Sequence, residues 1–206
     1  MGKSEAVIRV LGFGDSLTAG TPGYDPLDHS GDEKSQYGYW LVRVASKERG
    51  LHIDFDNQGE PGELVRHMLP RLKKAMNVGS YRAVIILGGS NDIGWGGDSR
   101  TICTYVESLW EHALDRGSRV VGCTVPPIGF EYPGLQETQA RLNEMIRTSG
   151  KEYDGLVVVD LFNSLSDEQG LLAPEFDSGD GLHLSVEGYK RMGESIWQSG
   201  VKVLLE

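Results

Sequence analysis

The sequence predicts an α/β fold in which a parallel sheet is covered by helices. Five short, apolar, β-rich runs recur along the 206 residues, and most of the segments between them carry helical spacing and helix-forming residues. With 39% of its residues hydrophobic, a chain of this length buries a substantial core, and it is expected to form one domain over residues 1–206.

The first run, Val7–Phe13, is apolar and feeds a sharp turn of small residues, Gly14-Asp15-Ser16, after which a short helix is expected to open. A long irregular stretch, Thr21–Gln36, separates this turn from a helix over Gly38–Arg49. The second strand, Ile53–Asn57, leads through Gly59 and Gly62 into a helix over Gly62–Met76, in which Pro70 is a candidate kink. Ala83–Leu87 (strand), Thr101–Arg116 (helix), Val120–Val125 (strand), Gln136–Lys151 (helix) and Leu156–Asp160 (strand) continue the alternation. The last helix, Val186–Gln198, follows Ser185, a residue suited to capping its N-terminus. Two further irregular stretches, Pro126–Gly134 and Asn163–Gly181, follow strands or precede this helix. Ligands of open α/β sheets bind beyond the carboxyl ends of the strands, so the three long stretches are the expected walls of a site. No internal repeat, heptad array, low-complexity tract or linker divides the chain.

Composition narrows the function. A formal net charge of −10 argues against binding a nucleic-acid backbone or an anionic membrane surface. No apolar run approaches the roughly 20 residues that span a bilayer, and the start of the chain has no signal-type apolar region, so a cytoplasmic location is expected. Cys103, in a predicted helix, and Cys123, in a predicted strand, read as buried free thiols. Neither belongs to a metal-spaced cluster, so no zinc site is expected. His29, between Asp28 and Asp32, is a weak metal or substrate-loop candidate, and the acidic run Asp25, Asp28, Asp32 and Glu33 reads as a solvated face.

Four short blocks carry the chemistry. Ser16 sits at a strand-to-turn junction whose following N–H groups can point back at an anion, and Asp15 beside it reads as a turn or cap residue. Asn57-Gln58-Gly59-Glu60-Pro61-Gly62 ends the second strand, where Gly59 can present a backbone N–H without side-chain obstruction. Leu87-Gly88-Gly89-Ser90-Asn91-Asp92 ends the third. Asn91 there offers two uncharged donors suited to a developing oxyanion, and Asp92 reads as a holder of backbone groups. Asp180-Gly181-Leu182-His183 precedes the last helix, and the three-residue spacing lets the carboxylate hold one imidazole nitrogen while the other faces Ser16. Each block alone also reads as an ordinary turn. His52, His67 and His112 have no comparable setting.

Gly14-Asp15-Ser16-Leu17, Gly59, Gly89-Ser90-Asn91-Asp92 and Asp180-Gly181-Leu182-His183 together resemble the four signature blocks of the SGNH, or GDSL-type, hydrolase superfamily, in that family's order and over nearly the whole chain. The resemblance implies a three-layer α/β/α, flavodoxin-like fold with a five-stranded parallel sheet in the order 2-1-3-4-5, and esterase or lipase-like acyl-hydrolase chemistry. It implies Ser16 as nucleophile, His183 as base and Asp180 as its orienting partner, with Ser16 N–H, Gly59 N–H and the Asn91 side chain as oxyanion donors. It leaves the substrate open among short esters, thioesters, lysophospholipids and acetylated sugars, with acyl transfer as an alternative to hydrolysis.

The expected reaction is therefore hydrolysis of a small-molecule ester through a covalent acyl-enzyme, with no metal or organic cofactor. The Ser, Asp, His order matches that of α/β-hydrolases, but the Gly-x-Ser-x-Gly elbow is missing and Ser16 follows the first strand. A non-catalytic ligand-binding module using the same crevice is the reading from another class. A phosphoacceptor relying on Asp15 lacks the acidic cluster and lysine it would need. Trp40, Trp95 and Phe130 are the candidate substrate-binding residues, with Tyr24 and Tyr132 in neighbouring loops. Oligomeric state is not legible in the sequence.

Overall fold

The computed structural model of the chain describes residues 7–132 and 134–206. Five parallel strands form the central sheet: β1 (Ile8–Gly14), β2 (Ile53–Gly59), β3 (Ala83–Leu87), β4 (Arg119–Cys123) and β5 (Leu156–Val159). They lie in the order β2-β1-β3-β4-β5, as expected from the resemblance. A two-residue-per-strand hairpin, Tyr24–Asp25 with Ser30–Gly31, stands apart in the first long loop.

Among the described residues, helices follow or cover the strands: α1 (Ser16–Ala19), α2 (Tyr37–Arg49), α3 (Val65–Val78), α4 (Ser90–Gly94), α5 (Ser99–Asp115), α6 (Leu135–Ser149), α7 (Leu161–Leu165) and α8 (Val186–Ile196). The period-2 alternation of β3 shows why there are three layers. Ala83, Ile85 and Leu87 pack on one face with Leu41 of α2 and Tyr189, Met192 and Ile196 of α8. Val84 and Ile86 pack on the other with Met68 and Leu72 of α3, Leu109 and Trp110 of α5, and Leu142 of α6. A strand buried on both faces must be apolar at every position, and all five β3 residues are buried.

Several boundaries differ from the sequence expectation, each for a local reason. β2 runs two residues past Asn57 because Gln58 and Gly59 keep pairing with Phe13 and Gly14 of β1. α3 begins at Val65, not Gly62, and it passes through Pro70 as one helix. Ser185 caps α8 as expected, its hydroxyl accepting from Gly188 N–H at 3.2 Å. Beyond Ile196 the chain continues through a π-helical turn, Trp197–Val201, and a last turn, Lys202–Leu205, past the expected end at Gln198. The stretch expected to be irregular from Asn163 begins inside α7.

Register fixes where function can assemble. Gly14 at the end of β1 is level with Gly59 of β2 and Leu87 of β3, so the turns after all three strands open on one edge of the sheet.

Candidate active site

Ser16 is the first residue of α1, directly beyond the end of β1. Asp15 caps this helix, its Oδ1 accepting from Leu17 N–H at 3.0 Å, so Asp15 has the cap role read from the sequence. Thr18 and Ala19 donate their N–H groups to Asp15 O, whereas Ser16 N–H takes no acceptor among the described residues and remains available at the helix N-terminus. Asp15 is completely buried, and desolvation pushes its carboxyl up to about 7 against the pull of the Leu17 N–H and of nearby His183. Its Oδ2, Thr18 Oγ1 and the Tyr37 hydroxyl are all buried without a hydrogen-bond partner among the described residues. A neutral carboxyl is the form that such a setting favours.

Across the edge of the sheet, His183 Nε2 lies 3.0 Å from Ser16 Oγ and His183 Nδ1 lies 2.6 Å from Asp180 Oδ2. Burial alone would raise the Asp180 carboxyl. The hydrogen bonds from the His183 ring and from the His183 and Leu182 N–H groups outweigh it and hold the carboxyl down at about 2. An ionised carboxylate can only accept, so in a neutral imidazole the proton sits on Nδ1 and the Nε2 lone pair faces Ser16. The turn holding this pair is braced from below: Asp177 Oδ1 accepts from Gly179 N–H at 2.8 Å and Gly181 N–H at 3.0 Å. Gly181 is needed here. Its φ of +73° lies in the left-handed region, and a Cβ would stand 2.7 Å from the Phe130 ring. Gly129 N–H donates to Gly181 O at 2.7 Å, joining this turn to the loop after β4. Asp177 was not singled out from the sequence, although its place in Asp177-Ser178-Gly179-Asp180-Gly181 carries a turn signal.

Asn91 is the second residue of α4, and its Nδ2 donates one hydrogen to Glu63 O at 3.1 Å, leaving the other without an acceptor among the described residues. Asp92 Oδ2 accepts from Val65 N–H at 3.0 Å, the backbone-holding role expected of it. Gly59 departs from expectation. It belongs to β2 and not to the turn, its N–H is donated to Asn57 Oδ1 at 3.1 Å, and a Cβ on it would stand 2.0 Å from Ala19 N. The hydrogen of the small side chain there serves close approach of β2 to α1, and its N–H is already spent on Asn57. The turn itself is Glu60-Pro61-Gly62-Glu63, closed by Glu63 N–H to Glu60 O, and Gly62 N–H has no acceptor among the described residues.

A cleft of about 260 Å³ adjoins these groups, with Asn91, Ile93, Trp95, Ile128, Phe130, Leu135 and Leu182 among its walls. Two of the three aromatic candidates, Trp95 and Phe130, are exposed and line it. Trp40 does not: it sits on α2, packs against the core, donates its indole N–H to Lys34 O at 2.8 Å and lies under the Lys190 ammonium. The cleft loop is anchored to α6 by Asn143, whose side chain pairs with both Val125 N–H and Val125 O, and by Gln139, which donates to Pro126 O. The weak metal candidate His29 instead pairs its Nδ1 with the Tyr24 hydroxyl at 3.1 Å, and no group of three or more metal-ligating side chains is found among the described residues.

Residues 13–191 match the GDSL-like lipase/acylhydrolase family. The chain belongs to that family. No curated protein matches it in sequence. Among solved structures, the GDSL-like chain is similar to a catalytic mutant of an acetylxylan esterase from Geobacillus stearothermophilus at 19% identity and a TM-score of 0.76, covering 98% of this chain and 96% of that one. A family 3 carbohydrate esterase from Clostridium thermocellum is 20% identical with a TM-score of 0.74, covering 97% and 98%. A member of the lipolytic protein G-D-S-L family from Veillonella parvula is 23% identical with a TM-score of 0.72, covering 93% and 96%. At these identities the likeness carries the fold, and the family match carries the hydrolase class. Among the described residues of this GDSL-like hydrolase, no helix is long and apolar enough to cross a membrane.

Proposed function

We propose that this chain is a serine-dependent carboxylic ester hydrolase that works through a covalent acyl-enzyme. The observation that carries the proposal is the hydrogen-bonded line from Asp180 through His183 to Ser16. His183 Nε2 takes the Ser16 proton as Oγ attacks the ester carbonyl. The imidazolium that forms is held by the Asp180 carboxylate and then protonates the leaving alcohol. In the second step His183 takes a proton from water, the resulting hydroxide equivalent attacks the acyl carbon, and Ser16 Oγ recovers its proton as it leaves.

The tetrahedral oxyanion is held by three donors: Ser16 N–H, the other Asn91 Nδ2–H, and the Gly62 N–H, which replaces Gly59 in that role. Gly62 is favoured because its N–H is unspent and it directly precedes Glu63, the residue that fixes Asn91. The acyl group occupies the cleft walled by Trp95, Phe130 and the aliphatic residues around them, since its lining is mainly apolar and it adjoins Asn91. Two of the similar structures are of a carbohydrate esterase and of an acetylxylan esterase mutant, so acetylated sugars belong in the substrate panel beside p-nitrophenyl esters and a thioester.

The test combines turnover of p-nitrophenyl acetate with fluorophosphonate labelling. Hydrolysis and one label per chain, both lost in Ser16→Ala, are expected. Full activity of Ser16→Ala would overturn the mechanism.

A further inference from the structure

Arg71, on the second turn of α3, was not singled out by any motif, yet its guanidinium reaches three elements of the site. Nη1 donates to Gln58 O at 2.7 Å and Nη2 to Gly14 O at 3.0 Å, tying the carboxyl ends of β2 and β1 together. Nε donates to both carboxylate oxygens of Glu63 at 3.2 and 3.1 Å, and Nη2 also bonds Glu63 Oε2. The guanidinium stacks 4.0 Å above the Phe13 ring. Its side chain is 22% exposed and that of Glu63 10%, so the pair is shielded from the screening that weakens surface ion pairs.

The two ends of this clamp matter. Gly14 stands two residues before Ser16, and the Glu63 carbonyl accepts from Asn91 Nδ2. We infer that Arg71, acting through Glu63, is a positioning residue for the oxyanion side of this site. It fixes the height of the Glu60–Glu63 turn relative to Ser16, and the Glu63 carbonyl in turn selects the Asn91 rotamer that leaves one amide hydrogen aimed over the sheet edge. Five polar interactions made by one planar group define an orientation and not merely a distance, which a point-charge lysine cannot reproduce. Neither residue touches the substrate. The inference rests on the proposed role of Asn91 as an oxyanion donor.

The decisive experiment is a double-mutant cycle in kcat, normalised to the number of fluorophosphonate-reactive sites, with thermal stability followed in parallel. Asn91→Ala is expected to lower kcat by about 10²–10³. Arg71→Met is expected to lower kcat per reactive site by up to about 10²-fold with KM little changed, the scale on which a misplaced group acts. In the Asn91→Ala background the same substitution should cost less than about threefold, because the donor it positions is already gone. Glu63→Gln, which keeps shape and one acceptor, should give a smaller loss with the same dependence on Asn91, and it stands in if Arg71→Met does not fold. Equal losses in both backgrounds would overturn the inference, as would a fall in stability with kcat per site unchanged. An Asn91→Ala variant with unaltered kcat would instead remove the oxyanion reading and the inference with it, whereas loss of all labelling in Ser16→Ala leaves that reading standing.

Discussion

His183 and Ser16, 167 residues apart in sequence, meet at 3.0 Å because the loop before α8 and the turn after β1 open on the same edge of the sheet. Their contact is the point at which the proposed reaction begins. Ser16→Ala and His183→Ala are each expected to reduce kcat for p-nitrophenyl acetate by about 10⁶, and the double variant by little more, since the two act as a unit. Steady-state kinetics on all three variants checks this. Losses that multiply would indicate independent roles.

Asp180→Asn is expected to lower kcat by about 10⁴ while leaving the fold intact. An amide can donate as well as accept and no longer requires the proton to sit on Nδ1. The pH dependence has a definite sign. The Asp180 carboxyl is depressed from 3.8 to about 2, so its contribution to stability is full above about pH 4 and is lost as pH falls through about 2. A difference between wild type and Asp180→Asn that shrinks over that interval in acid unfolding would bear this out. A difference that grows would contradict it.

Asp15 behaves in the opposite sense. Its carboxyl is raised from 3.8 to about 7, so the stability it contributes is full below about pH 4, declines as pH rises toward 7, and is flat above. Asp15→Asn keeps a capping oxygen and stays neutral. It is therefore expected to match wild type near pH 4 and to unfold at a higher temperature than wild type at pH 8. Melting temperatures of both proteins across this range test the point, and a lower melting temperature of the variant at pH 8 would refute it.

Gly59→Ala is expected to be damaging for a steric reason. A Cβ 2.0 Å from Ala19 N meets backbone that cannot step aside, so a cost of about 3 kcal/mol or more in stability is expected, with displacement of α1. Urea denaturation measures the cost. A variant as stable as wild type would show that α1 yields.

The cleft sets an expectation for chain length. Each methylene buried there should raise kcat/KM about fourfold, from about 0.8 kcal/mol per methylene, until the cleft is full. Leu135→Trp should lower the ratio of longer-chain to acetate turnover. A ratio unchanged by Leu135→Trp would place the acyl group elsewhere.

How much of this was legible depended on the range of the signal. Asp180 and His183 were readable because three residues suffice to bring a carboxylate to an imidazole. The alternation of strands with the longer helices was readable because a strand buried on both faces, such as β3, is apolar at every position. Gly59 was misread because two glycines within Asn57–Gly62 look alike until pairing with Gly14 decides which one ends the ladder and which one turns. Trp40 was misread because its helical segment gives no sign of which rim of the sheet it covers. Arg71 carried no signal, since its partners Gln58 and Gly14 lie 13 and 57 residues away.

The hydrogen bond from Gly129 to Gly181, and the Phe130 ring resting on Gly181, have a consequence for discrimination among substrates. These two contacts join the cleft wall to the turn that carries His183. On the proposed reading, an acyl group that levers Phe130 aside to gain room should also tilt His183 away from Ser16, so a poorly fitting substrate is expected to lose turnover number as well as affinity.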